Sequence, residues 1–416
     1  MSERHSRPAA LAITDLRTTC LTGTPFNSYL IRIDTNQGIS GYGEVRDNAS
    51  KTYALMLKSR LLGENPCDVD RLFRRVKQFG HHGRQGGGVS GVEMALMDLA
   101  GKGYGVPAYA LAGGRFRDRI LCYCDTTPSA SGRETGQRLK RRMAMGFRFL
   151  KMDVGIDLLR DRRDCVIAPP GMRNSQTVMH PFTGLQITDR GIDLLCEYVA
   201  AVRAEIGYEV PLAADHFGHL GLESCIRLGR ALDRFSLAWY EDMLPWQFTD
   251  QYRRLAEAVE TPICTGEDIY LKEGFADLFR ERAIAVAHPD LATAGGILET
   301  KKIGDAAQER GIAMAMHTAM TPVAALASVH CAAATENFLV LENHSVDDLE
   351  RWSGLVAGLP VPLVQDGHIA VPEGPGLGFT DLNHELLREC VDPDEPGIFE
   401  PTPEWDRDRS NDRLWS

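Results

Sequence analysis

The chain has 416 residues, is 44% hydrophobic and 25% charged, and carries a formal net charge of -11. That length suits two domains with large cores, and an acidic balance with no basic run argues against nucleic acid as a partner. No apolar stretch approaches the roughly 20 residues of a membrane span, and the opening Met-Ser-Glu-Arg-His-Ser-Arg-Pro has no apolar signal core; ten scattered cysteines read as buried free thiols of a cytoplasmic protein.

In chain order, residues 13–21, 28–33 and 39–44 read as strands separated by polar or Gly-containing turns. Residues 50–112 then read as helical, with apolar residues at helical spacing over 89–104. Strands followed by helices make an α+β unit. Within it, His81-His82-Gly83-Arg84-Gln85-Gly86-Gly87-Gly88 is expected to be mobile by composition, as a flap facing substrate or as simple linkage. Arg84 is its candidate substrate contact. Gly113-Gly114 marks the break, and from Arg119 strands alternate with helices. The irregular stretch 155–189, with two Pro-containing turns, leaves a strand end and reads as a lid or pocket wall. His180 and Arg173 are its candidate substrate contacts, against the default of a surface ornament or oligomer contact. The hairpin-like segment 361–378 is expected to return to the first domain, and the acidic, Pro-rich tail from Asp392 to pack poorly.

The alternating part is periodic. Three short apolar segments end on carboxylates at Asp215, Glu241 and Glu267, each 26 residues after the last. Asp290, His317 and Glu342 continue the series at intervals of 23, 27 and 25, and Lys151 and Asp153 end an earlier apolar run. A strand and helix repeated at one period is the unit of a parallel barrel, whose active site lies at the C-terminal ends of its strands.

The three equally spaced acids offer only oxygen, which suits octahedral Mg²⁺, with Mn²⁺ as a substitute. The competing reading pairs each acid with a nearby Arg or Lys. Asp290 beside His317 would fix the imidazole tautomer and make it a general base; a hydrogen-bonded core histidine is the alternative. Lys151 and Asp153, two apart on a strand, share a face. Lys151 would neutralise an anionic substrate oxygen or, with a lowered pKa, act as a base. Asp153 would hold that ammonium or bind a hydroxyl, unless the two form only a structural pair. Glu342, if protonated, would donate a hydrogen bond to a developing anion. His216 and His344 adjoin rim acids and are candidate substrate contacts, against the default of exposed loop histidines. Together these groups suit abstraction of a proton next to a carboxylate, after which His317 would return its proton to a leaving β-hydroxide.

These residues resemble the enolase superfamily, mandelate racemase/muconate lactonizing enzyme-like group. The resemblance rests on Ser90-Gly91-Val92-Glu93 through Lys102, Leu111-Ala112-Gly113-Gly114, Trp239-Tyr240-Glu241-Asp242 with Pro245, Thr265-Gly266-Glu267, and His288-Pro289-Asp290 followed by Gly295-Gly296-Ile297. It implies an N-terminal α+β capping domain (1–115), a modified TIM barrel, (β/α)₇β (116–355), and a C-terminal segment (356–416) completing the capping domain. It also implies the metal on Asp215, Glu241 and Glu267, the His317–Asp290 dyad, and Glu342 as the eighth-strand acid. Racemases of this group carry Lys-x-Lys on the second strand; here Asp153 replaces the second lysine. That departure favours a one-base reaction, dehydration of an aldonate or aldarate to a 2-keto-3-deoxy acid. An epimerase, racemase or cycloisomerase, with Lys151 as second base, is the alternative, and an inactive sugar-acid binder a remoter one. By analogy the chain is expected to form a homo-oligomer, a dimer or octamer.

Overall fold

The computed structural model describes residues 6–23, 27–81, 83–159, 161–162, 164–168, 185–215, 217 and 220–407. Strands β1 (Ile13–Leu21), β2 (Ser28–Thr35) and β3 (Ser40–Val45) form an antiparallel sheet in that order. Helix α1 (Gly86–Tyr104) lies across β3 and is buried along nearly its whole length. The contact is close because glycines line it. A Cβ on Gly91 would stand 2.5 Å from the Glu44 carbonyl oxygen, and one on Gly87 2.6 Å from the Arg46 Cβ. The glycine run expected to be mobile therefore lies inside α1 and serves close approach, a use that composition does not distinguish from flexibility.

Eight parallel strands close the barrel: β4 (Arg119–Cys124), β5 (Leu150–Asp153), β6 (Leu212–Asp215), β7 (Tyr240–Glu241), β8 (Ile263–Thr265), β9 (Val286–Ala287), β10 (Ala313–Met316) and β11 (Phe338–Asn343), with β11 pairing back to β4. Tyr123, Phe149, Ala213, Trp239, Cys264, Val286, Ala315 and Val340 form one buried apolar cluster, a floor inside the barrel. Because side chains alternate along a strand, the residues two positions further on stand on the same side, one layer higher. They include Lys151, Asp215, Glu241, His288, His317 and Glu342, so the floor and the polar rim are consecutive layers of one pleat.

The C-terminal segment divides its contacts. A hairpin (Val364–Gln365, His368–Ala370) extends the barrel sheet, pairing Ile369 antiparallel to Ile120 on the lower half of β4. Beyond it the Leu377 amide donates to Asp98 Oδ1 (2.8 Å), the Asp392 amide to the Cys20 carbonyl (3.0 Å), and the Phe399 amide to Thr19 Oγ1 (2.5 Å). Lys58 Nζ binds the Thr402 carbonyl at 3.0 Å and Asp406 Oδ1 at 2.7 Å. The tail expected to pack poorly is thus tied down as far as Asp406, by contacts with Cys20, Thr19 and Lys58 of the first domain that its composition does not announce.

Two buried glutamates of the first domain cap barrel helices. Glu93 of α1 accepts from the amides of Ile297 (2.6 Å) and Leu298 (3.0 Å) at the start of α2 (Gly296–Gln308). Glu44 of β3 accepts from the Thr321 amide (3.0 Å), Thr321 Oγ1 (2.6 Å) and the Ala324 amide (3.2 Å) at the start of α3 (Pro322–Ala334). Unpaired N–H groups at a helix start favour a carboxylate, so the domains meet at fixed points. All ten cysteines are free, nine of them buried, and no helix among the described residues is long and apolar enough to cross a membrane.

Candidate active site

The pleat and the register place the rim. Asp153 pairs with Asp215 across β5 and β6, and Glu241 pairs with Cys264 across β7 and β8. Glu267 lies just beyond β8, and Asp290 forms a bridge with His317 above β9 and β10. The evenly phased residues arrive at one end of the barrel, where they form two clusters, each around a cation.

The first cation is Lys151, 1% exposed. Its Nζ lies 2.6 Å from Glu342 Oε1, 2.9 Å from Asp215 Oδ2, 3.1 Å from Glu241 Oε1 and 3.9 Å from Asp125 Oδ1. Burial disfavours the charged amine, but Asp215, Glu241 and Glu342 outweigh it and hold Lys151 well above the ordinary lysine range. The lowered pKa that a lysine base needs is therefore absent. Burial raises Glu342 too, yet Lys151 and His317 hold it well below the usual carboxylate range. The ionised acid is favoured, not the protonated donor expected from the sequence. Glu241 is pushed well up, by burial and then by Asp215. Its Oε2 accepts from Trp239 Nε1 at 2.8 Å, and its Oε1 lies 3.3 Å from His288 Nδ1. Burial takes His288 down to about 4, so that contact is not an ion pair, and the Nε2 of the neutral imidazole meets the Tyr123 hydroxyl at 2.9 Å.

The second cation is Arg46, 2% exposed, which follows β3 and reaches in from the capping domain. Its Nη1 pairs with Asp290 Oδ2 and lies 3.2 Å from His317 Nδ1, its Nη2 is 3.5 Å from Glu267 Oε1, and its Nε 2.7 Å from Asp47 Oδ1. His317 Nδ1 is 2.6 Å from Asp290 Oδ2, and Asp290 Oδ1 caps the next turn by accepting from the Ala292 amide at 2.7 Å. The dyad is thus assembled, with His317 Nε2 3.2 Å from Glu267 Oε2 and 3.6 Å from Glu342 Oε2. Burial works against the imidazolium, but Glu267 and Glu342 overcome it, and with the Asp290 hydrogen bond they take His317 up to about 9 while Arg46 pulls it down.

The donor set for a metal is chemically apt. Asp215, Glu241 and Glu267 offer oxygen alone, the donor type that a hard divalent cation takes. They reach one rim without converging, however: Asp215 and Glu241 share the Lys151 ammonium, while Glu267 turns to Arg46 and His317. Among the described residues, ligand atoms gather within 4.8 Å in two other sets, Glu241–Cys264–His288 and His317–Glu342–His344.

The other candidates fall as follows. Asp153 ends β5 but is not among the ion-pair partners of Lys151 just given. His344 is no exposed loop histidine; it is wedged between Asp125 (Nδ1 to Oδ2, 3.5 Å) and Glu342 (Nε2 to Oε1, 3.3 Å). Arg84 donates from Nη1 to the Asp47 carbonyl (3.2 Å), beside Arg46. His216, His180 and Arg173 lie outside the described residues. Sequence reasoning missed Arg46, Asp125 and His288. Asp125 and His288 each stand two residues beyond a floor residue, Tyr123 and Val286, so the alternation rule would have found them.

The pattern matches known proteins across both domains. Residues 3–113 match the family described as mandelate racemase/muconate lactonizing enzyme, N-terminal domain, and residues 134–384 match enolase C-terminal domain-like. The chain belongs to the enolase superfamily, in the mandelate racemase/muconate lactonizing enzyme group. It is 34% identical over 381 residues to the D-xylonate dehydratase of Haloferax volcanii (88% of this chain, 86% of that one). It is 27% identical over 369 residues to the arabinonate dehydratase of Saccharolobus solfataricus (86% and 88%). The crystal structure of a mandelate racemase/muconate lactonizing enzyme-like protein from Rubrobacter xylanophilus is similar, with a TM-score of 0.82, 32% identity, and 94% and 100% of the two chains covered. Within this enolase-superfamily chain, Arg46 and Arg84 come from the matched N-terminal region, Asp125 from between the two matches, and the other rim residues from the second.

Proposed function

We propose that the chain is a Mg²⁺-dependent hydro-lyase that dehydrates an aldonate or aldarate to its 2-keto-3-deoxy acid. The observation that carries this reading is the His317–Asp290 dyad on a rim whose second strand offers a single lysine. His317 is oriented by Asp290, and Asp153 stands where a second lysine base would be needed. Racemisation requires an acid or base on each face of the carbanion, and elimination does not. The names of the relatives, dehydratases of D-xylonate and arabinonate, support the same class.

In this reading Asp215, Glu241 and Glu267 hold the metal. A bound Mg²⁺ supplies Lewis-acid stabilisation of the charge that develops on the substrate carboxylate, and neutralises carboxylates that otherwise keep His317 protonated. His317 Nε2 takes the proton from C2, with Asp290 fixing the opposite nitrogen. Lys151 sets a buried positive charge beside the developing anion. Glu342, ionised, holds that ammonium in place.

The test is a panel of D-xylonate, arabinonate, D-galactonate and aldarates with Mg²⁺, read by semicarbazide detection of the keto acid and by exchange of the C2 hydrogen in deuterated water. Wild-type protein is expected to form keto acid, and His317→Asn to lose both keto acid and exchange with its circular dichroism unchanged. Turnover retained in that variant removes His317 from the base role; exchange without water loss in the wild type replaces dehydration by epimerisation.

A further inference from the structure

The rim holds a second imidazole–carboxylate pair to which the chemistry above gives no task. His344, just past β11, has Nδ1 3.5 Å from Asp125 Oδ2 and Nε2 3.3 Å from Glu342 Oε1. His317 approaches the other oxygen of the same carboxylate, Nε2 to Oε2 at 3.6 Å. The two ring centroids are 5.8 Å apart, and the three side chains offer atoms all within 4.8 Å of one another. Two imidazoles that straddle the oxygens of one carboxylate are spaced to serve substituents on neighbouring atoms of a ligand. In a sugar acid these are the hydrogen on C2 and the hydroxyl on C3. Each ring is backed at Nδ1 by its own aspartate, Asp290 for His317 and Asp125 for His344, so both turn Nε2 the same way, toward Glu342.

The two rings differ in what surrounds them. His317 stands between Asp290 at 2.6 Å and Glu267 at 3.2 Å. His344 is twice as exposed, 16% against 8%, and its aspartate lies 3.9 Å from the Lys151 ammonium.

Resting on the dehydratase reading, we infer that His344, oriented by Asp125, is the general acid that protonates the departing C3 hydroxyl, while His317 only takes the C2 proton. The C2–H bond breaks and its proton passes to His317 Nε2. The electron pair left behind becomes the C2–C3 double bond, and the C3–O bond breaks with its pair on oxygen. That oxygen takes the proton from His344 Nε2 and leaves as water. The enol gains a proton at C3 and loses its hydroxyl proton. His317 releases its proton to solvent and His344 regains one, so the net change is loss of one water.

A leaving group that needs no proton isolates this role. The sugar acid of the panel that is turned over is compared with its 3-deoxy-3-fluoro analogue in wild type, His344→Gln and Asp125→Asn. His344→Gln is expected to lose about 100-fold or more in keto-acid formation from the hydroxy acid, the usual size of a general-acid contribution. It should keep C2 exchange in deuterated water and release fluoride within about tenfold of wild type. Asp125→Asn, which preserves shape, is expected to show the same pattern at smaller amplitude. Equal losses on both leaving groups, or unchanged dehydration in His344→Gln, overturn the assignment. A wild type that neither dehydrates nor exchanges any member of the panel is a different failure, that of the dehydratase reading itself.

Discussion

The rim carboxylates are held by two cations that arrive from different domains. Lys151 stands on a barrel strand among acids from three other barrel strands, so these partners are fixed by the sheet. Arg46 enters from the capping domain and meets Asp290 and Glu267 across the domain boundary. One cluster is therefore a property of the barrel alone, while the other exists only while the domains are docked. The base, His317, belongs to the docked cluster and approaches the other at Glu342. Domain docking thus becomes part of assembling the base.

The comparison is broken hardest at Lys151. Replacing it by Met leaves Asp215, Glu241 and Glu342 buried without their shared ammonium, which should cost about 3–5 kcal/mol of stability in metal-free protein. Activity should fall by at least about 100-fold. Millimolar Mg²⁺ should raise the melting temperature of the variant more than that of the wild type, because the acids now lack their own cation. Equal shifts, measured calorimetrically, would argue that these carboxylates do not gather a divalent ion.

Arg46 is the counterpart on the docked side, and its effect should be smaller, roughly 10–100-fold in kcat/KM for Arg46→Ala, with part of the loss recovered in Arg46→Lys. The pH dependence carries the sign. His317 works as a base only when neutral, so the rate rises with pH through its pKa, and the Arg46 charge is one of the influences that lower that pKa. Removing the guanidinium should move the rising limb of the kcat/KM profile to higher pH. A profile that merely drops in height would reduce Arg46 to a packing role.

The same division decides what could be read from the sequence. The barrel cluster was legible because a regular strand–helix period puts Asp215, Glu241 and Glu342 on one rim without any tertiary information. Even Asp125 was within reach, two residues past the floor residue Tyr123. Arg46 was not, because nothing local in Gly-Glu-Val-Arg marks its last residue as the neighbour of a histidine 271 positions away. The charge states were equally hidden. Lys151 could be written as a base and Glu342 as a protonated donor only because the sequence does not show them 2.6 Å apart.

The smallest effect sharpens the comparison most. Glu44 precedes Arg46 by two residues and accepts hydrogen bonds from Thr321 and Ala324, in the segment that follows His317. Its carboxylate thus anchors both the arm that carries Arg46 and the turn that leaves the base. Glu44→Gln keeps the shape but replaces one acceptor oxygen by an amide donor, leaving at least one buried N–H or O–H of that turn short of a partner. A cost of about 1–2 kcal/mol follows, read as a lower denaturation midpoint with an unchanged m-value. If docking places the base, a several-fold fall in kcat/KM should accompany it, with the pH limb displaced in the same direction as in Arg46→Ala. If stability falls while the limb stays where it was, the two domains are joined at Glu44 without that joint reaching the imidazole. Arg46 would then hold Asp290 by its own contacts alone.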